Sequence, residues 1–129
     1  PDNVVAAGQT VDLSGAQAGA TQLAFLGSAS NGEASGAVTV TYTDGSRQQA
    51  DIGFTDWTRG GGGGALMFGN QIAASTPYRN ETSGGSQRID TYVFATAPIA
   101  LQAGKRVASV TLPTEVKGGA LHIFAITAA

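Results

Sequence analysis

The sequence has no cysteine and only one histidine, one tryptophan and one methionine. Without cysteine there are no disulfides, no thiolate nucleophile and no thiolate metal site. With His122 as the sole imidazole, a zinc site of the His/Cys kind is excluded as well. Zero cysteines leaves the compartment open, because a domain of this size can close its core without disulfides. Charge is also scarce: 12% of the chain is charged, with seven basic against nine acidic residues and a net charge of −2. Lysine occurs only as Lys105 and Lys117. A nucleic-acid surface needs a basic stripe to displace counterions, so that class is excluded. No apolar run approaches the roughly 20 residues of a membrane-spanning helix, and no basic-then-apolar signal segment opens the chain. No membrane partner is expected. The chain opens at Pro1 without methionine and is expected to be a piece of a longer protein, folded as a single domain over residues 1–129.

The 19 glycines, with abundant Ala, Thr and Ser, make a composition poor for helix bundles and suited to a β-protein with many turns. Residues 36–58 carry the clearest pattern. Val38, Val40 and Tyr42 alternate with Thr39, Thr41 and Thr43, while Ala50, Ile52 and Phe54 alternate with Gln49, Asp51 and Gly53. This period of two marks strands with one apolar face. A two-residue loop at Asp44-Gly45 would put Val40 opposite Gln49 and send the two apolar faces to opposite sides. A three-residue loop, Thr43-Asp44-Gly45, pairs Tyr42 with Ser46, Val40 with Gln48 and Val38 with Ala50. The spacing therefore predicts a bulged hairpin with Gly45 in the left-handed region.

Elsewhere the pattern predicts a short strand or ordered tail at Val4-Val5 and strands over 10–14, 22–29, 88–96, 106–112 and 120–127. Turns are expected at Asn31-Gly32 and Lys117-Gly118-Gly119. In the strand over 106–112, Ala108, Val110 and Leu112 point inward. Tyr42, Tyr92, Phe25, Phe54, Phe94 and Phe124 stand at core spacing. Residues 60–64 are five consecutive glycines, which open a long loop reaching to about Gln87. Within it, Ala65-Leu66-Met67-Phe68 and Gln71-Ile72-Ala73 are apolar enough to lie against the fold, the latter as a short strand. Some eight short strands and no convincing helix give an all-β fold, an antiparallel β-sandwich of jelly-roll type.

Few residues carry catalytic chemistry. His122 lies in an apolar strand and is expected to be partly buried with a backbone partner. Gly27-Ser28-Ala29-Ser30 does not fit a nucleophile elbow. Gly60, Gly62 and Ala65 match a dinucleotide-binding pattern only formally, since no strand-turn-helix frames them. Asp51 and Asp56 read as solvated surface rather than a glycosidase pair. No enzyme is expected. A structural calcium with hard oxygen ligands is compatible with Asp2, Asp12, Asp56, Glu81 and Asp90, which sequence cannot group.

Binding chemistry is better represented. Sugar rings pack C–H faces on aromatic side chains and direct hydroxyls to polar groups at the rim. Trp57, Tyr78, Arg79, Asn80, Glu81 and Arg88 form such a set in and beside the glycine-rich loop. Two readings stand for Trp57, a ligand platform and a loop anchor, and Tyr78 and Arg79 can equally clamp the loop.

The runs Phe25-Leu26-Gly27-Ser28-Ala29-Ser30-Asn31-Gly32 and 36–46, the Phe54-Thr55-Asp56-Trp57 segment, the Tyr78-Arg79-Asn80 triplet and the ending Leu121-His122-Ile123-Phe124-Ala125 carry a resemblance. The chain resembles accessory β-sandwich domains of large secreted bacterial glycoside hydrolases, similar in fold to galactose-binding-like carbohydrate-binding modules. The resemblance implies a secreted, monomeric, non-catalytic module, covalently linked to a catalytic domain and binding a polysaccharide or glycan, or else a spacer with no ligand.

Overall fold

The hairpin forms in the register its alternation dictates. Tyr42 N–H donates to Ser46 O at 2.9 Å, Gly45 N–H donates to Tyr42 O at 2.9 Å, and Gly45 lies at φ 85°. Val40 faces Gln48 and Val38 faces Ala50. Val38, Val40, Tyr42, Ile52 and Phe54 are thereby buried together.

The computed structural model describes residues 2–129. In chain order the strands are β1 (Val4–Val5), β2 (Thr10–Asp12), β3 (Gln22–Tyr42), β4 (Arg47–Phe54), β5 (Gln71–Thr76), β6 (Arg79–Asn80), β7 (Ser86–Gln87), β8 (Thr91–Ala95), β9 (Ile99–Ala100), β10 (Val107–Thr111) and β11 (Val116–Ala128). All the ladders between them are antiparallel, and the fold is a β-sandwich. The strand expected over 88–96 is confined to β8, and that over 10–14 to β2.

β3 is 21 residues long and serves both layers. Residues 22–30 pair with β11 on one side and with β8 and β9 on the other. Residues 34–42 pair with β4 on one side, and with β10 and the start of β11 on the other. β1, β2 and β5 extend these ladders outward.

The chain does not reverse at Asn31-Gly32. Ser30 pairs with Ala120 and Ala34 with Gly118, so residues 31–33 stand against Gly119 alone. Asn31 and Gly32 have φ of 61° and 98°, the backbone of a tight turn, but β11 continues alongside on both sides of them. The result is a bulge within one strand. Lys117-Gly118-Gly119 is the other half of this feature rather than a turn: a Cβ at Gly118 would overlap Glu33 O, and one at Gly119 would overlap Ser30 O. The bulge inverts the parity of burial. Leu23, Phe25 and Ala29 point inward before it, and Ala34, Val38, Val40 and Tyr42 after it.

Two further register shifts correct the expected core. One lies at Phe124, between Ile123 and Ala125: Phe124 alternates outward after the buried Leu121 and Ile123 and is 38% exposed, and the inward face passes to Ile126 beyond it. The other, between Val107 and Ser109, buries Val107 in place of Ala108. Phe25, Phe54, Phe94 and Tyr42 do occupy the core, where each large side chain contributes roughly 1.5–3 kcal/mol by leaving water. Tyr92 packs at its margin. His122 is part-buried as expected, but its partners are the side chains of Ser30 and Asn3. No helix among the described residues is long and apolar enough to cross a membrane.

Candidate functional site

Asn70 is 6% exposed and ties the loop after β4 back to that strand. Its Oδ1 accepts from Thr55 N–H at 2.8 Å and from the Thr55 hydroxyl at 2.9 Å, and its Nδ2 donates to Gly53 O at 2.9 Å. Thr55 Oγ1 accepts from Met67 N–H at 3.0 Å, and Asn70 N–H donates to Met67 O at 2.9 Å. Residues 67–70 are thus closed into a tight turn with Phe68 at φ 57° and Gly69 at φ 68°. Positive φ at both central positions is the type I′ geometry that Asn, Asp and Gly normally fill. A side chain held in the left-handed region costs about 1–2 kcal/mol. The phenylalanine held there is 43% exposed. Its ring lies flat on Gly53, where a Cβ would meet ring atoms at 2.5 to 2.7 Å.

Phe68 walls a groove of about 870 Å³. The floor draws on four strands, β3, β4, β10 and β11. Lys117, Ser35 and Gly53 form one cross-strand row, Thr111, Thr39 and Gln49 another, and Ala37 pairs with Asp51 between them. Ser35, Ala37 and Gly53 are small, which makes the concavity. Gln49, Asp51, Glu115 and Lys117 are exposed around it. The groove combines an aromatic face with amide, carboxylate, ammonium and hydroxyl groups, within the usual size of ligand pockets, about 300–1,000 Å³.

The structure places the six sequence-derived site residues elsewhere, and none of them lines this groove. Trp57 is half-buried: its N–H donates to Ala29 O at 2.7 Å and its carbonyl accepts from Tyr92 N–H at 2.8 Å. The Arg79 guanidinium lies 5.4 Å from the Trp57 ring centroid, and its Nε–H donates to Gln87 Oε1 at 2.8 Å. Arg79 and Asn80 form β6, which pairs with β7 in a small hairpin. Glu81 begins its turn, donating N–H to Gly85 O at 2.8 Å. Tyr78 is 49% exposed, and Asn80, Glu81 and Arg88 are exposed too. Trp57 and Arg79 therefore meet, and Trp57 borders a separate pocket of about 190 Å³ with Val93 and Phe124.

The acidic residues weighed for calcium are scattered. Among the described residues no three His, Cys, Asp or Glu side chains group to hold a metal ion. Asp12 accepts from Ser14 N–H at 2.8 Å. Asp56 is engaged by three backbone amides and one hydroxyl: Oδ1 accepts from Gly32 N–H at 3.1 Å, and Oδ2 accepts from Thr58 N–H at 3.1 Å, the Thr58 hydroxyl at 2.6 Å and Gly60 N–H at 3.3 Å. Burial pushes its pKa up, but the bonds from Thr58, Gly32 and Gly60 outweigh that and hold it below the usual carboxylate range.

Sequence reasoning passed over Phe68, Gln49, Glu115 and Lys117, and took Asp51 as plain surface. Two local signals point to the groove. Gly53 interrupts the polar face of an otherwise alternating strand, and Phe68 directly precedes a glycine and a buried asparagine.

Residues 1–129 match a family described as the AziU2-like beta-sandwich domain. No curated protein matches the chain.

Proposed function

The chain belongs to the AziU2-like β-sandwich domain family, and from that scaffold and its groove we propose a carbohydrate-binding module whose glycan groove is itself non-catalytic. The observation that carries this reading is Phe68, a half-exposed aromatic ring held at φ 57° over Gly53 beside Asp51 and Gln49. Bulky side chains kept in unfavourable backbone conformations cluster at ligand clamps and active sites, which supports this reading. A pyranose stacked on that ring would direct hydroxyls to Asp51, Gln49 and Lys117. The module would be a secreted accessory domain that tethers a linked glycoside hydrolase to a polysaccharide. Even a roughly millimolar affinity raises the local concentration of a tethered enzyme.

A ligand-free spacer is the competing reading. It is favoured by the Trp57 end, where Arg79 already occupies one ring face.

Affinity electrophoresis against a polysaccharide panel, followed by calorimetry, separates the two. Retardation by a neutral polysaccharide, lost in folded Phe68→Ala, is the expected result. Loss in Trp57→Ala or Tyr78→Ala but not in Phe68→Ala moves the site to the glycine-loop end. No retardation by any glycan leaves the spacer.

A further inference from the structure

Across the outward face of β3 and β11, beside the N-terminal segment, runs a hydrogen-bonded chain of four side chains that the glycan reading does not use. Asn3 Nδ2 donates to Asp2 Oδ1 at 2.7 Å, which turns Asn3 Oδ1 toward His122 Nδ1 at 2.9 Å. An amide oxygen can only accept, so in the neutral imidazole Nδ1 carries the proton. His122 Nε2 is then an acceptor, and it stands 2.8 Å from Ser30 Oγ. The serine hydroxyl therefore donates to a ring nitrogen whose orientation is fixed from behind. That is the arrangement that activates a serine nucleophile.

The surroundings provide access and a binding place. Ser30 is half-exposed and sits just before the bulge, where Asn31 has φ 61°. Ser28 is the next residue on the same face of β3, roughly 6.6 Å along the strand. It lies directly across from His122 and lines the apolar pocket of about 190 Å³ bordered by Trp57, Val93 and Phe124. An apolar cavity of about 150 Å³ holds a benzene. The pocket is thus the size of a small acyl or aryl group, one strand step from the Ser30 hydroxyl.

We infer that this face is an ester-reactive site, in which Ser30 is acylated by carboxylic esters whose acyl or aryl group enters the Ser28–Phe124 pocket. Ser30 Oγ bonds to the ester carbonyl carbon, its proton passes to His122 Nε2, and the carbonyl carbon's bond to the leaving oxygen breaks as that oxygen takes the proton. Water then attacks the acyl-serine with His122 as base, releasing the acid and restoring the hydroxyl. Asn3 is a positioning residue that holds the imidazole through Nδ1.

The test treats the full chain with p-nitrophenyl acetate and with a fluorophosphonate, which releases fluoride as it bonds to the serine oxygen. Adducts are located by intact mass and peptide mapping. The expected result is a single adduct on Ser30, with the labelling rate falling at least about 100-fold in His122→Gln. Asn3→Leu should slow labelling, and Asn3→Asp, which keeps an acceptor at Nδ1, should restore it. Wild-type protein with a folded circular dichroism spectrum and no adduct on Ser30 overturns the proposal without recourse to any variant. Labelling of Ser30 at the same rate in folded His122→Gln overturns it as well.

Discussion

Asp56 Oδ1 accepts a hydrogen bond from Gly32 N–H at 3.1 Å, fastening the β3 bulge to the loop that leaves β4. Three more donors, from Thr58 and Gly60, converge on the other carboxylate oxygen. Replacing Asp56 with alanine strands these donors and should lower the unfolding free energy by about 2–3 kcal/mol, read from urea midpoints at constant slope. The sign with pH follows from its depressed folded pKa. The stabilisation is complete above the unfolded value of 3.8 and is lost as pH falls through the lower folded value. Asp56→Asn should accordingly lose its deficit against wild type only in strongly acidic urea titrations.

Asp44 is held to about 2, first by the Ser46 hydroxyl, then by Ser46 N–H, with Lys105 adding to these. Its carboxylate should titrate near that value in carbon-detected NMR, and Ser46→Ala should return it toward 3.8. The carboxylate stands in solvent, so little change in global stability is expected.

Gly53→Ala should act on the groove through Phe68. The new methyl would push the ring off its seat, because the distance to the ring atoms is 2.5 to 2.7 Å. Glycan affinity should fall by about tenfold, approaching that of Phe68→Ala, while the thermal midpoint drops by only a few degrees. Calorimetry and differential scanning measurements on the same samples decide this. Unchanged affinity would remove Phe68 from the binding surface.

Gly119→Ala should be among the most damaging substitutions in the chain, since its Cβ would overlap the carbonyl oxygens of the facing bulge. Rigid backbone on the far side cannot give way as a side chain does, and a loss above about 3 kcal/mol is expected. Gly15→Ala, where nothing lies within 4 Å, is the control that should stay near wild type.

Arg79→Ala uncovers the Trp57 ring. The cation–π contact at 5.4 Å is worth about 0.5–1 kcal/mol at an exposed site. The tryptophan emission should red-shift with little change in melting temperature.

The hairpin could be read from sequence because everything that sets its register lies within twenty residues: an alternating pattern on each arm and a glycine where the loop needs positive φ. Asn31-Gly32 was legible as a turn and is locally one, but the partner that turns it into a bulge is Gly119, far along the chain. The same separation hid the outward swing of Phe124. Phe68 was readable as apolar and nothing more, because its exposure depends on a buried asparagine amide gripping Thr55 and Gly53. Of the proposed binding set, the meeting of Trp57 with Arg79 follows from β6 folding back on β7, a pairing two residues long that carries no periodic signal.

Residues 22–30 of β3 bond along one side to residues 120–128, the end of the last strand. During vectorial synthesis that edge of β3 therefore stays open, the backbone of residues 23–30 without its partner, until nearly the whole domain has left the ribosome. Closure of such distant pairings is slow, and an uncovered strand edge invites the wrong partner. A chain cut before residue 120 would keep that edge unpaired for good, and is expected to associate through it rather than fold as a smaller sandwich.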